Sequence, residues 1–515
     1  MTRTALKLPP GLQSDDTTHA KAGYWADGSN VRFRLGFPQT IGGWEALTAS
    51  TVTGACRWVF PWGTNDNQTY GAFGTHTNLY VYAGGGVYDI TPTSGFTAGV
   101  IDGTGQSGYG TGPYGSGGYA TPSTTDYFPL TWSGGATGED LVASPRDQGI
   151  FLWDASVGTG TVAATLTNSP GNVQYCLVSA QDAVFALGCT QEGGSTFNAL
   201  TVRHSGIGVP TEWNTAATTT SRQYVLPGGG RIVAGRVLAD SVLVWTTSGL
   251  FRFDYLAQID EVYRWSEVGR HCGLIGPGAA AVVGQTAYWI SPDRQFWSYT
   301  LGAEPQIMDC PIREDFADNL SSAQYDKIVA STVGQYGEVW WDYPDSRDGY
   351  ENSRYVAAAV AGPDAGVWFR GEMARTARVD AGPSPYPLAV STTIDGTTAT
   401  GMIYWHELGT SADGSAFSWF IESADQYMSE EKQLLARSFW PDAERQTGAV
   451  TLTLTTRERP NGTTRTTSYT IASDADKVDL RASGRLFRIK LAGNSAPSEF
   501  RLGRPVIDFA PMGTR

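Results

Sequence analysis

The side chains of this 515-residue chain that could do acid–base or metal chemistry are scattered rather than grouped. Five histidines, His19, His76, His204, His271 and His406, each stand alone. The H-E-x-x-H pattern, which sets two imidazoles on one helix face for zinc, does not occur. No Gly-Lys dipeptide exists, so the phosphate-cradling G-x-x-x-x-G-K-[ST] loop is absent, as is the G-x-S-x-G nucleophile elbow. Five cysteines (56, 176, 189, 272 and 310) are odd in number and widely spread, with no C-x-x-C. That pattern points to neither a disulfide framework nor a zinc cluster, and it fits folding in a reducing cytoplasm.

Carboxylates offer the one enzymatic reading with some support. Glu338, Asp342 and Asp345 in GEVWWDYPDSRDGYENSRY (337–355) could supply a glycosidase pair. On a strand, however, Glu338, Trp340 and Asp342 share one face and Val339, Trp341 and Tyr343 the other, as in an amphipathic strand. Sialidase-like glycosidases carry turns of the form S-x-D-x-G-x-T-W. The stretches Ser144 to Trp153 and Ser291 to Trp297 approach that form without matching it. Asp474, Asp476 and Asp479 lack the ligand spacing of a calcium loop and read as a solvated turn. The expectation is a chain with no catalytic, cofactor-binding or metal-binding residues, and no enzyme.

The elements that would position any site are strands. With 63 Gly, 17 Trp, 24 Tyr and 20 Phe but only 17% charged residues, the composition favours turns and pleated sheets over long helices. Aromatic-ended runs resembling outer strands recur at YVYAG (80–84), IFLWD (150–154), ALTVR (199–203), LFRFD (250–254), FWSYT (296–300), RYVAA (354–358) and MIYWH (402–406). Their centres are separated by 70, 49, 51, 46, 58 and 48 residues, a period near 50 that suits a four-stranded meander. The long first spacing is explained by a Gly-rich insertion at 94–127. The fold class expected is all-β: a β-propeller of six or seven blades at 21–410, preceded by an arm at 1–20 and followed by a β-sandwich-like domain at 411–515. The last hundred residues could instead close the final blade. Only 313–327 reads as a short helix.

A net charge of −14 argues against holding nucleic acid through a basic footprint. It is compatible with DNA passing a repelling wall. Of the 36 cations only six are lysine, and arginine is favoured at subunit contacts. The first residues lack an apolar signal core and no run of about 18 apolar residues occurs, so the expectation is a soluble protein without a secretion signal of its own.

The stretch GYWADGSNVRFRLGFPQTIGGWEAL (23–47) resembles the start of tail hub or nozzle proteins of short-tailed double-stranded DNA bacteriophages, relatives of the packaged-DNA stabilisation proteins. The likeness extends through GEDLVASPRDQGIFLWD (138–154), TVRHSGIGVPTEWN (201–214), PGGGRIVAG (227–235), RHCGLIGPGAA (270–280), EVWWDYP (338–344), WFRGEMARTA (368–377) and residues 484–515. This resemblance implies a structural virion protein assembled in the host cytoplasm as a six-fold ring in the virion tail. The ring would lie beneath the portal or head-to-tail adaptor, adjoin fibre, spike or needle proteins, and let genomic DNA through without sequence-specific binding or membrane anchoring. The Gly-rich insertion departs from the family pattern. In this reading Val31, Phe33 and Leu35 pack inward, while Arg32 and Arg34 face out as interface candidates. Gly108, Tyr109, Tyr114 and Tyr119 of the insertion are further interface candidates. The alternative function is a propeller-type glycosidase or polysaccharide-binding tail protein.

Overall fold

Runs of β-branched and aromatic residues separated by Gly- and Asp-centred turns form antiparallel sheets almost throughout. The computed structural model describes residues 2–17, 20–103, 128–396, 398–428 and 432–512. Seven of its sheets are four-stranded meanders or close variants of one, and they follow one another along the chain from Cys56 to His406. Their first strands are Cys56–Gly63, Trp132–Thr137, Tyr175–Val178, Ile232–Leu238, Ala280–Val283, Val329–Val333 and Ala377–Val379. Each first strand lies beside the first strand of the next sheet, and Ala377–Val379 returns to Cys56–Gly63, so the seven form a cycle.

All seven aromatic markers fall on the third strand of a sheet, not on the outermost one. The reason lies in burial. Third strands are flanked by neighbouring sheets, whereas the rim strands, Trp368–Glu372 of the sixth sheet apart, are partly exposed and kept short or charged. Ala164–Thr165 and Gln306–Ile307 are only two residues long. The longer Tyr263–Arg270 carries the ion pairs Arg264–Glu261 and Arg270–Glu267. Aromatic side chains knit the sheets together: Trp245 meets Trp289 at 5.5 Å, and Phe296 meets Trp341 at 5.0 Å, both edge-on. The helical stretch expected at 313–327 is an α-helix, Arg313–Asn319, followed by a 3-10 turn, Ser322–Lys327.

The seventh sheet takes its fourth strand from the beginning of the chain. Trp44–Ala46 pairs with Thr398–His406, with Trp44 opposite His406. The carboxy-terminal region does not supply this strand. Instead it joins residues 2–40 in a second unit of three sheets. Thr2–Ala5 pairs with Val506–Pro511, Trp25–Ser29 with Phe417–Ser423, and Phe37–Thr40 with Glu499–Leu502. The boundary expected at residue 21 is therefore corrected: the segment before Trp44 is part of the terminal unit, not an arm plus the start of the ring. Trp25–Ser29 and Val31–Arg34 also lie against Trp368–Glu372, the fourth strand of the sixth sheet.

The orientation expected for the opening strand is corrected too. Val31 and Phe33 are buried as anticipated, but Leu35 is 58% exposed because it sits in a two-residue hairpin turn. Leu35 and Gly36 both have positive φ (53° and 82°), and their amides donate to the Asp364 carboxylate. Arg32 is only 1% exposed. A strand wedged between the terminal core and the sixth sheet has no outward face at that position. Arg34 alone is exposed.

Candidate functional site: the central cavity, its mouth and the charged seam

The seven first strands surround a cavity of about 500 Å3 whose wall includes Trp58, Gly135, Leu177, Arg236, Ala281 and Val379. The end of the cavity where these strands begin, its mouth here, is lined by Arg57, Asp326 and Lys327. Two linked ion-pair clusters occupy the mouth. In one, Arg57 is bidentate to Glu351 at 2.9 and 2.7 Å and also donates to the Ile101 carbonyl. The Lys327 ammonium, fully buried, donates to Asp102, Glu351 and the Tyr350 carbonyl. Burial, reinforced by Arg57, holds Lys327 below the usual lysine range; its three donors are all taken, which leaves no free amine for chemistry.

In the second cluster Asp326 accepts from Arg146 at 3.1 Å and faces Arg231 at 3.9 Å. The Phe128 ring packs under both guanidiniums, 3.7 Å from Arg146 and 4.6 Å from Arg231. Burial and the neighbouring Arg146 depress Arg231 to about 10. Asp102 and Phe128 lie at the two described ends of the Gly-rich insertion. Asp102 is thus fastened to Lys327 directly, and Phe128 packs on the two arginines that face the adjacent Asp326. Gly108, Tyr109, Tyr114 and Tyr119 lie outside the described residues.

The carboxylates considered for glycoside chemistry are elsewhere and enclosed. Every residue of Glu338–Pro344 is buried, so the strand is not amphipathic as expected; both faces are covered. Glu338 lies 3.2 Å from Arg32 and accepts from the Trp340 indole at 2.8 Å. Glu407 takes Arg32 in a bidentate pair at 2.7 and 2.6 Å and also accepts from the Gly42 amide. Asp342 pairs with Arg378 at 3.0 Å, and Asp345 with Arg347 at 2.6 Å. Burial pushes Glu338 up to about 7 and Asp342 up to about 6, against the opposing pull of Arg32 and Arg378 respectively. Arg375 donates to His406 Nε2 at 2.7 Å and lies over the Trp44 ring. Burial, then Arg375 and Arg378, holds His406 well below the usual histidine range.

Arg32, Arg375 and Arg378 with Glu338, Glu407 and Asp342 thus form a charge-balanced seam. It runs between the sixth sheet, the seventh sheet and the strand that crosses from the terminal unit. No saccharide reaches Glu338 or Asp342 here, since they are 1% and 0% exposed. Arg375, Arg378 and Glu407 were not singled out from the sequence, and no local spacing marks them; their partners are 30 or more residues away.

Among the isolated histidines, His76 and His204 have structural surroundings, while His271 is exposed. His76 accepts from the Ala55 amide, and His204 bonds the Ser205 carbonyl through Nδ1 while stacking on Phe185. Among the described residues no three His, Cys, Asp or Glu side chains converge as metal ligands would, all five cysteines are buried and free of disulfides, and no helix is long and apolar enough to cross a membrane. No protein-family model matches the chain, and no curated protein sequence matches it significantly.

Proposed function

We propose that this chain is a structural subunit of a bacteriophage tail, a ring-forming hub or nozzle that joins the portal or its adaptor to the distal tail and frames the path of the DNA. In this reading the seven consecutive sheets are the blades of a seven-bladed β-propeller closed by the strand Trp44–Ala46. The observation that carries the proposal is the closure itself. The strand Trp44–Ala46 completes the seventh sheet, and strands within residues 2–40 and 417–511 are bound into one further β unit. The seventh sheet is thereby tied to the segment that precedes the first, which suits a joint that bears load between two other assemblies. The enclosure of its central carboxylates in arginine pairs supports a structural over a hydrolytic role, and the resemblance of the quoted segments supports the phage assignment.

Negative-stain images of the purified protein, and of particles containing it, test the proposal. Rings of regular symmetry, six-fold in the resemblance's terms, are the expected result. A monomer that releases reducing sugar from host surface polysaccharide would overturn the proposal and favour the glycosidase.

A further inference from the structure

Charge is divided unevenly between the two parts of the molecule. Residues 44–410 contain 17 Lys and Arg against 34 Asp and Glu, whereas residues 1–43 and 411–515 together contain 19 against 16. The seven-sheet body is strongly acidic and the terminal unit mildly basic. Within the terminal unit, three arginines stand on one exposed feature. Arg459 lies in the turn of the hairpin formed by Val450–Arg457 and Arg465–Ile471, Arg465 begins its second strand, and Arg481 lies on the adjacent strand Val478–Gly484, its amide bonded to the Tyr469 hydroxyl. All three side chains are exposed, and among the described residues none has an ion-pair partner.

The same hairpin ends its sheet with an open edge. Arg465–Ile471 is the last strand of its sheet, seven residues long and mostly exposed; its hydroxyls pair with the preceding strand, as in Thr453–Ser468 at 3.0 Å, and the Tyr469 hydroxyl accepts from the Arg481 amide. The comparably long rim strand Tyr263–Arg270 is guarded by intrastrand and adjoining ion pairs. An edge of this length without such a guard is suited to contact with another chain.

We infer that this arginine-bearing hairpin docks onto the acidic seven-sheet body of a second copy of the chain. The inference rests on the ring-subunit reading and names the surface that reading needs. In the ring the contact is head to tail, each hairpin seated on the body of the next copy, and it closes where the rotation between neighbours does. The guanidiniums meet carboxylates across the interface, which makes association salt-sensitive.

The test compares full-length wild type with the triple variant Arg459→Glu, Arg465→Glu, Arg481→Glu, and with the triple Arg→Lys variant at the same positions. Size-exclusion chromatography with light scattering reads assembly over a range of protein and salt concentrations, and circular dichroism checks folding. The expected result is a multi-subunit wild type, weakened by added salt, and a folded Glu variant whose half-assembly concentration is raised at least tenfold, with assembly retained in the Lys variant. A Glu variant that assembles like wild type overturns the assigned surface while leaving the ring reading intact. A wild type that is monomeric under every condition, or stops at a two-fold dimer, overturns both.

Discussion

Replacing Arg32 by Met removes the one cation that Glu338 and Glu407 share, at 3.2 Å and at 2.7 and 2.6 Å, from a site only 1% exposed to solvent. Breaking a buried pair by deleting one partner costs about 3–5 kcal/mol, because the remaining charge is left without compensation. Here two carboxylates are stranded, but they do not respond alike. Glu338 is already pushed up to about 7, so it takes up a proton near neutrality at little cost. Glu407, which also accepts from the Gly42 amide, carries most of the penalty. Without Arg32, Glu338 loses the pull that opposes its burial and binds its proton still more tightly in the folded than in the unfolded state. The variant's stability therefore falls as pH rises above the ordinary carboxylate range, and its deficit is larger at pH 8 than at pH 5. Urea denaturation at the two pH values measures this, with Arg34→Ser as the exposed control, expected within about 0.5 kcal/mol of wild type. An Arg32→Met protein within that same margin of wild type at pH 8 would refute the account of the seam.

The remaining expectations concern the core, the closure and the mouth. His204 is held near 4 by burial, so between about pH 4 and 6.5 the unfolded chain binds a proton that the native state refuses, and stability rises with pH by at most roughly 3 kcal/mol; His204→Phe should flatten that rise in denaturation midpoints. Trp44→Ala removes a partly buried ring stacked 5.5 Å from His406 and edge-on to Phe417, and should cost near the lower end of the roughly 3–5 kcal/mol typical of Trp→Ala, with exchange of the Trp44–Ala46 and Thr398–His406 amides accelerating before that of other sheets. Lys327→Met unfastens Asp102 while Arg57 still holds Glu351, so hydrogen exchange should quicken around residues 101–103 with the first strands unchanged.

What could be read from the sequence was what repeats locally. Each third strand packs between two sheets and so needs aromatic and β-branched residues in alternation, and seven copies of that need produce the period near 50. The short helix at 313–327 and the strands after residue 417 were legible for the same reason. What could not be read depends on partners far along the chain. Nothing near Arg32 says that Glu338 and Glu407 will converge on it, so its R-F-R alternation reads as an outward-facing pair of interface arginines. The sheet pairing of residues 2–40 with the last hundred is invisible for the same reason. Gly42 and Gly43 give the one local sign of the crossing. A Cβ on Gly42 would stand 2.7 Å from the Glu407 Cα, and one on Gly43 2.4 Å from the Ser411 carbonyl oxygen. The Gly-Gly-Trp step is thus a close backbone passage followed by the residue that anchors the closing strand.

That passage bears on why six charges are buried at this seam rather than a patch of aliphatic side chains. Three parts of the fold meet there: the sixth sheet through Glu338 and Asp342, the seventh through Arg378, and the crossing segment through Arg32. An apolar contact of the same area would tolerate a slipped register, since it is non-directional. A bidentate Arg32–Glu407 pair tolerates none, because a displacement of one residue on the strand turns the guanidinium to the opposite face and leaves buried charge unpaired. The seam gains little net stability from such pairs, but it penalises every other way of closing the ring. For a chain whose seventh sheet is completed by a strand made about 360 residues earlier, selection of one register is the requirement that a polar seam meets and an oily one does not.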